Sequence, residues 1–384
     1  MTAAPRQQEP LASIRERAKE HNPERVNHFI FLRLILASLV IVGHAAELTD
    51  GNTSRELFHR LGARLTAGDF AVDGFFVISG YLILQSWSQQ PNLRAFLVKR
   101  ILRIIPAFLV AYLISVLVVG RIGGGPSYFA ELFTPDGIFQ FFRGIFVLTY
   151  PYVPPVFPGF PYPLSNGSIW TIAYEFRCYL LIPLLAVLGL CQRPLVLVAV
   201  WFAIVAGSAQ VSATHPGDAM SLGLIHFLPF FLAGSCAYLY RDKIRWGRAL
   251  GVVSLVAAAL SMSSQAAAYF VLPIAGSYAV LWLALSQWSP LRFFSPRNDV
   301  SYGVYLYGWP AQKLLLWYLP AVPLAGQAVG TLGASLLLGW ASWHLIEKRC
   351  LAWKASLAQR RASLRAYEMA IEPGAIESGL TPAP

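Results

Sequence analysis

Residues Phe29–Glu47 read FIFLRLILASLVIVGHAAE. The run is apolar and close to the about 20 residues that a helix needs to cross a bilayer. It nevertheless carries Arg33 and His44. An ionisable residue inside a membrane helix costs roughly 2.5–3.5 kcal/mol on insertion scales, so two in one helix require compensation. Eleven residues at about 100° each fall within about 20° of three full turns, which puts both side chains on one helix face, about 16 Å apart along the axis.

Composition points the same way. Of the 384 residues, 56% are hydrophobic and 13% are charged; soluble domains average about 25% charged. The expected fold class is all-α: a polytopic membrane helical bundle of about ten transmembrane helices, at about 27–47, 69–87, 106–120, 168–190, 194–212, 222–240, 249–265, 268–287, 299–319 and 322–346. With these spans, 22 of the 30 Lys and Arg fall on the side of the N-terminus, five on the other side and three within spans. That bias predicts that both termini are cytoplasmic. It also accounts for the net charge of +11 without nucleic acid, since no basic domain stands apart. The expected organisation is a cytoplasmic tail over 1–27, a transmembrane domain over 28–346 and a cytoplasmic tail over 347–384. The first 25 residues are polar and lack the apolar core of a signal peptide, so the first span is expected to target the chain.

The four cysteines (Cys178, Cys191, Cys236 and Cys350) are scattered, which predicts neither a disulfide framework nor a metal site. Asp69 and Asp73 share a face of span two, and Gly80 with Ser79 allows close helix approach there. Residues 92–108, NLRAFLVKRILRIIPAF, read as an amphipathic surface segment entering span three at Pro106. Arg100 and Arg103 project together from it, which suits either anionic lipid or a phosphate. The loop 121–167 is rich in Pro and aromatics, which makes it stiff. Its aromatic groups suit sugar rings or the headgroup layer.

By this topology Arg33, Arg100 and Arg103 lie at the inner face. His44, Asp73 and Glu175 lie in the outer half, where a carboxylate beside the imidazole would suit a general base. A purely structural alternative pairs these same groups to hold the helices together. His226 and His344 are expected to pack or to sit at the interface, Lys313 to snorkel outward, and Glu347 with Lys348 to form an interfacial ion pair.

Six segments now carry a resemblance. Arg33 and His44 form Arg-x10-His. DGFFVISGY runs from Asp73 to Tyr81, and Arg100, Arg103 and Pro106 form RxxRxxP. WTIAYEFRCY (Trp170 to Tyr179), SYGVYLYGWP (Ser301 to Pro310) and SWHLIEK (Ser342 to Lys348) follow in order. Together they resemble membrane-bound acyltransferase family 3, the bacterial multi-pass enzymes that O-acylate surface sugars. Two positions depart from the pattern: Gly308 stands where many members have His, and Arg349 where many have Pro.

The resemblance implies transfer of an acyl group, usually acetyl, from acetyl-CoA or another acyl-CoA to a hydroxyl of a carbohydrate or lipid-linked glycan in the bacterial inner membrane. Acyl-CoA is then a co-substrate, with no permanently bound cofactor and no metal. It implies catalytic roles for His44, Glu175 and Asp73, with Glu175 or Asp73 orienting His44. Donor binding falls to Arg33, Arg100 and Arg103, and substrate contacts to Trp170, Tyr302 and Tyr305. Direct transfer and an acyl-His intermediate both fit. A transporter or flippase for a lipid-linked sugar, with His44 and Glu175 as proton relay, is the alternative, and a scaffold subunit of a polysaccharide machine is a third reading.

Overall fold

The structure is a computed structural model, and it describes residues 28–151, 153–214, 222–286 and 298–352. The tail over 1–27, and the chain beyond 352, lie outside the described residues. Eleven principal helices follow one another: α1 (Phe29–Asp50), α2 (Ala67–Gln89), α3 (Leu93–Gly123), α4 (Pro135–Val147), α5 (Ser168–Val187), α6 (Pro194–Thr214), α7 (Leu224–Leu239), α8 (Arg248–Ser261), α9 (Gln265–Leu285), α10 (Ser301–Tyr318) and α11 (Leu324–Ala352). No strand occurs among the described residues.

Seven of these (α1, α2, α3, α5, α6, α9 and α11) are long and apolar enough to cross a membrane. The other three expected spans fall on shorter or more polar helices. α7 has 16 residues and α8 has 14. α10 has 18 residues and buries Gln312 and Lys313. The side chains facing away from the bundle on α6, α8 and α11 are apolar and exposed, among them Leu195, Val253 and Leu337, as a lipid environment favours.

Two boundaries differ from expectation. The segment over 92–108 is no separate surface helix: α3 begins at Leu93, capped by Asn92 on the Ala95 N–H, and runs unbroken through Pro106. Proline removes one N–H donor but does not stop a helix whose neighbours supply the packing. At the other end, α11 passes the expected boundary at 347 and reaches Ala352, through a π-helical turn at Trp343–Glu347.

Glycines set the helix spacing. A Cβ on Gly80 of α2 would lie 1.8 Å from the Phe231 carbonyl oxygen of α7, and one on Gly234 of α7 would lie 2.0 Å from that of Val77. The two backbones are therefore in direct contact, as small residues permit in membrane bundles. Gly303 and Gly339 do the same for α10 and α11, with 2.6 Å between a Gly303 Cβ and the Gly339 Cα. Helices α1, α2, α7, α10 and α11 thus form a tight group. The start of α2 is fixed by a capping box: Asp69 Oδ2 accepts from the N–H and hydroxyl of Thr66, and the Asp69 N–H returns to Thr66 Oγ1. Asp69 is thereby spent on the helix end.

Candidate active site

At the Arg33 end of the bundle, charges from four parts of the chain converge. Arg33 (α1) and Arg103 (α3) both donate to Oδ2 of Asp299, at 2.9 and 2.6 Å. Arg103 also reaches Glu347 Oε2 on α11 at 3.0 Å. Asp299 stands two residues before α10 and accepts from Ser301 Oγ through its other oxygen. Burial raises the pKa of its carboxyl, but Arg33, Arg103 and the Ser301 hydroxyl and N–H outweigh that and bring it down to about 2. The cost of Arg33 in its helix is thus met by Asp299, a residue the motif reading left out. Glu347 is buried on Arg103 and is no interfacial partner of Lys348. The π turn that ends in Glu347 re-aims its side chain inward.

Arg100 differs from the other two arginines. It donates to Ser86 Oγ at 3.0 Å and lies against the rings of Phe96 and Tyr179, and its Nε is buried without a partner. Among the described residues no carboxylate lies within ion-pair distance of it. Arg33, Arg100 and Arg103 all line one cavity of about 450 Å³. A second cavity of the same size continues from it. The two share Arg33, Ser79, Glu175 and Tyr302 in their walls.

Glu175 sits at that junction. Its Oε1 accepts from Ser79 Oγ at 3.1 Å and from the Tyr179 hydroxyl, one turn further along α5. The start of α5 is pinned by Asn166, whose amide donates to the Leu306 carbonyl and to Ser115 Oγ and whose oxygen accepts from Ser168. Tyr302 lines both cavities and Tyr305 the second. Their hydroxyls are spent on the backbone carbonyls of Ile104 and Ser168, with Thr171 also bonded to Tyr305. Trp170 lies apart from both cavities, packed on Tyr174 and Phe227.

His44 has a different partner from those expected. Its Nδ1 lies 3.0 Å from Glu47 Oε2, one turn on in the same helix, and both side chains remain about a quarter exposed. Neither Glu175 nor Asp73 touches it. Glu175 is taken up by Ser79 and Tyr179, and Asp73 by His226 of α7. Asp73 Oδ1 lies 2.7 Å from Nε2 of His226, and both side chains are buried between α2 and α7. His226 is therefore more than a packing residue, and Asp73 serves α7. The pattern His-x-x-Glu was readable in the sequence, since i and i+3 share a helix face. The Trp309 ring meets His44 edge-on at 5.1 Å. Gly308, beside it, has Ile41 of α1 3.0 Å from where a Cβ would be, so the space a larger side chain would need is filled.

An O-acetyl transferase of Shigella phage Sf6 is 29% identical over 337 residues, covering 85% of this chain and 96% of the relative. Nodulation protein 10 of Rhizobium leguminosarum bv. viciae is 28% identical over 393 residues, covering 90% and 99%. No solved structure matches the chain significantly. The family model of the acyltransferase domain of acyltransferase family 3 matches residues 27–344, nearly the whole described bundle, and the chain belongs to that family.

Proposed function

We propose that the protein is an O-acyltransferase of the bacterial inner membrane, moving an acyl group, in the first instance acetyl, from acyl-CoA to a hydroxyl of an exported or cell-surface carbohydrate. The bundle crosses the membrane ten times with both termini cytoplasmic. The observation that carries this reading is the pair of adjoining cavities that begins at Arg100 and Arg103 and continues past Glu175 and Tyr305. The asymmetry of 22 basic residues against five supports a cytosolic arginine end, on the side where CoA is found.

In this scheme Arg100, with no carboxylate at ion-pair distance among the described residues, takes a donor phosphate. Arg33 and Arg103 are held by Asp299 and Glu347 and shape the entrance. The thin pantetheine arm enters the cavities past Ser79, Glu175 and Tyr302. His44 stands outside the lining of both cavities, and there Glu47 fixes its Nδ1–H tautomer, which leaves Nε2 as the proton acceptor. His44 takes the proton of the acceptor hydroxyl, whose oxygen attacks the thioester carbonyl. The new ester C–O bond forms, the C–S bond breaks, and the proton passes from His44 to the departing thiolate. Atoms and charge balance without a further reactant. In the alternative route the acyl group rests first on His44 itself.

The decisive experiment is mass spectrometry of surface glycans from a deletion strain complemented with wild type or His44→Ala, paired with acetyl-CoA binding to the purified protein. The proposal requires a mass loss of one acyl group in the deletion strain and the His44→Ala strain, with binding retained by His44→Ala. Purified wild type that binds no acyl-CoA refutes it.

A further inference from the structure

Lys313 lies in the C-terminal third of α10 and is 1% exposed. Its ammonium does not reach the surface as a snorkelling side chain would. Nζ donates to the carbonyl of Pro161 and lies 5.7 and 5.9 Å from the ring centres of Phe157 and Phe160. Taking an ammonium out of water is costly, and a carbonyl with two ring faces offsets part of that cost. All three contacts are to one segment, 153–164, in the connection between α4 and α5.

That segment is held in a shape its residues do not favour. Phe157 and Tyr162 have φ of 60° and 57°, a left-handed conformation that non-glycine residues rarely adopt. Such a conformation persists only where the surroundings impose it. Here Phe157 donates its N–H to Gly123, and its ring meets Trp317 at 5.6 Å.

The segment ends on His44's neighbours. Tyr162 follows the latched Pro161 directly. Its hydroxyl bonds to Glu47, and its ring meets Trp309 at 6.0 Å. Trp309 in turn donates to the Leu164 carbonyl and touches the His44 ring. We propose that Lys313 is a positioning residue: by fastening the strap at Pro161 it holds Tyr162 on Glu47, and so fixes the Glu47–His44 pair. This rests on the acyl-transfer role of His44 given above. If Lys313 only packed the bundle, its loss would lower stability without altering the behaviour of His44.

Three readouts on Lys313→Met and Tyr162→Phe, purified in detergent beside wild type, separate these cases. They are amide hydrogen exchange across 153–164, the rate at which diethyl pyrocarbonate modifies His44 as read by peptide mass spectrometry, and kcat and KM for acetyl-CoA. In Lys313→Met, exchange in the strap should rise about tenfold, His44 modification should change several-fold, and kcat should fall about tenfold with KM for the donor within twofold. Tyr162→Phe should reproduce the effects on His44 and kcat while leaving strap exchange near wild type. Unchanged strap exchange in Lys313→Met overturns the latch. Unchanged His44 modification in either variant overturns the positioning role, and Tyr162→Phe alone decides that point if Lys313→Met does not fold. A wild type that transfers no acyl group sinks the proposed function instead, while the labelling still decides the latch.

Discussion

Arg103 lies 2.6 Å from Asp299, and the carboxylate oxygen it touches also accepts from Arg33. Two of the three motif arginines therefore share one counter-ion inside the protein, while the third, Arg100, hydrogen-bonds to the Ser86 hydroxyl and lies on the Phe96 and Tyr179 rings, with no carboxylate at ion-pair distance among the described residues. Residues that look equivalent in the sequence are electrostatically distinct in the fold.

Arg100→Ala should raise KM for the acyl donor about 10–100-fold, the equivalent of the roughly 1.5–3 kcal/mol of a hydrogen bond to a charged group. Its thermal unfolding temperature should stay near wild type. Arg103→Ala should behave oppositely. It leaves Glu347 without a cation and Asp299 with Arg33 alone, and breaking a buried pair costs about 3–5 kcal/mol, so a large drop in unfolding temperature is expected. Donor titration and thermal denaturation in detergent, run on both variants, check the division. Equal loss of donor affinity in both would show that the arginines act as one phosphate site.

Stability should fall in acid through Asp299. Its pKa is about 2 in the fold against 3.8 for the ordinary side chain. A lowered pKa contributes stability that is fully present above about pH 5 and is lost as pH falls through about 4 to 2. Unfolding midpoints measured from pH 6 to pH 2 should show that decline in wild type and a shallower one in Asp299→Asn. Identical slopes would mean that Asp299 does not bear the linkage.

His44→Ala should abolish measurable transfer while leaving acetyl-CoA affinity within about twofold. Glu47→Gln should keep the protein folded and lower kcat by about tenfold or more, since loss of an orienting carboxylate leaves the wrong tautomer populated. Steady-state kinetics with a fixed donor concentration distinguish the two. Full activity in Glu47→Gln would remove it from the mechanism.

Gly80→Ala should destabilise the bundle by more than the about 1–3 kcal/mol typical of an overpacked site, because the obstacle is the Phe231 carbonyl, 1.8 Å from the new Cβ, and not a side chain that can turn away. Ala substituted at Gly207 meets nothing within 4 Å and serves as the control. Equal unfolding temperatures for the two variants would contradict the close approach of α2 and α7.

The first span illustrates what was readable in advance. Phe29–Glu47 forms one helix with Arg33 and His44 on a common face, because helical periodicity and apolar length are local properties of the chain. The all-helical class and the seven long apolar helices were readable for the same reason, though not the start of α3 at Leu93 or the helix α4, and six short motifs announced the family. Glu47 is legible in the same way, one turn from His44, because residues i and i+3 share a helix face.

The partners of the charged groups could not be read in this way. Asp299 meets Arg103 across 196 residues and Asp73 meets His226 across 153. Which carboxylate finds which cation depends on how the helices rotate about their axes, and glycine contacts such as Gly80 on Phe231 set that rotation. The sequence by itself determined a membrane bundle with an arginine end and an imidazole end. Only the tertiary structure decided that Glu47 holds His44, that Asp299 occupies Arg33 and Arg103, and that Lys313 turns inward to a strap, because ion pairing between helices is fixed by packing geometry that no local pattern of residues encodes.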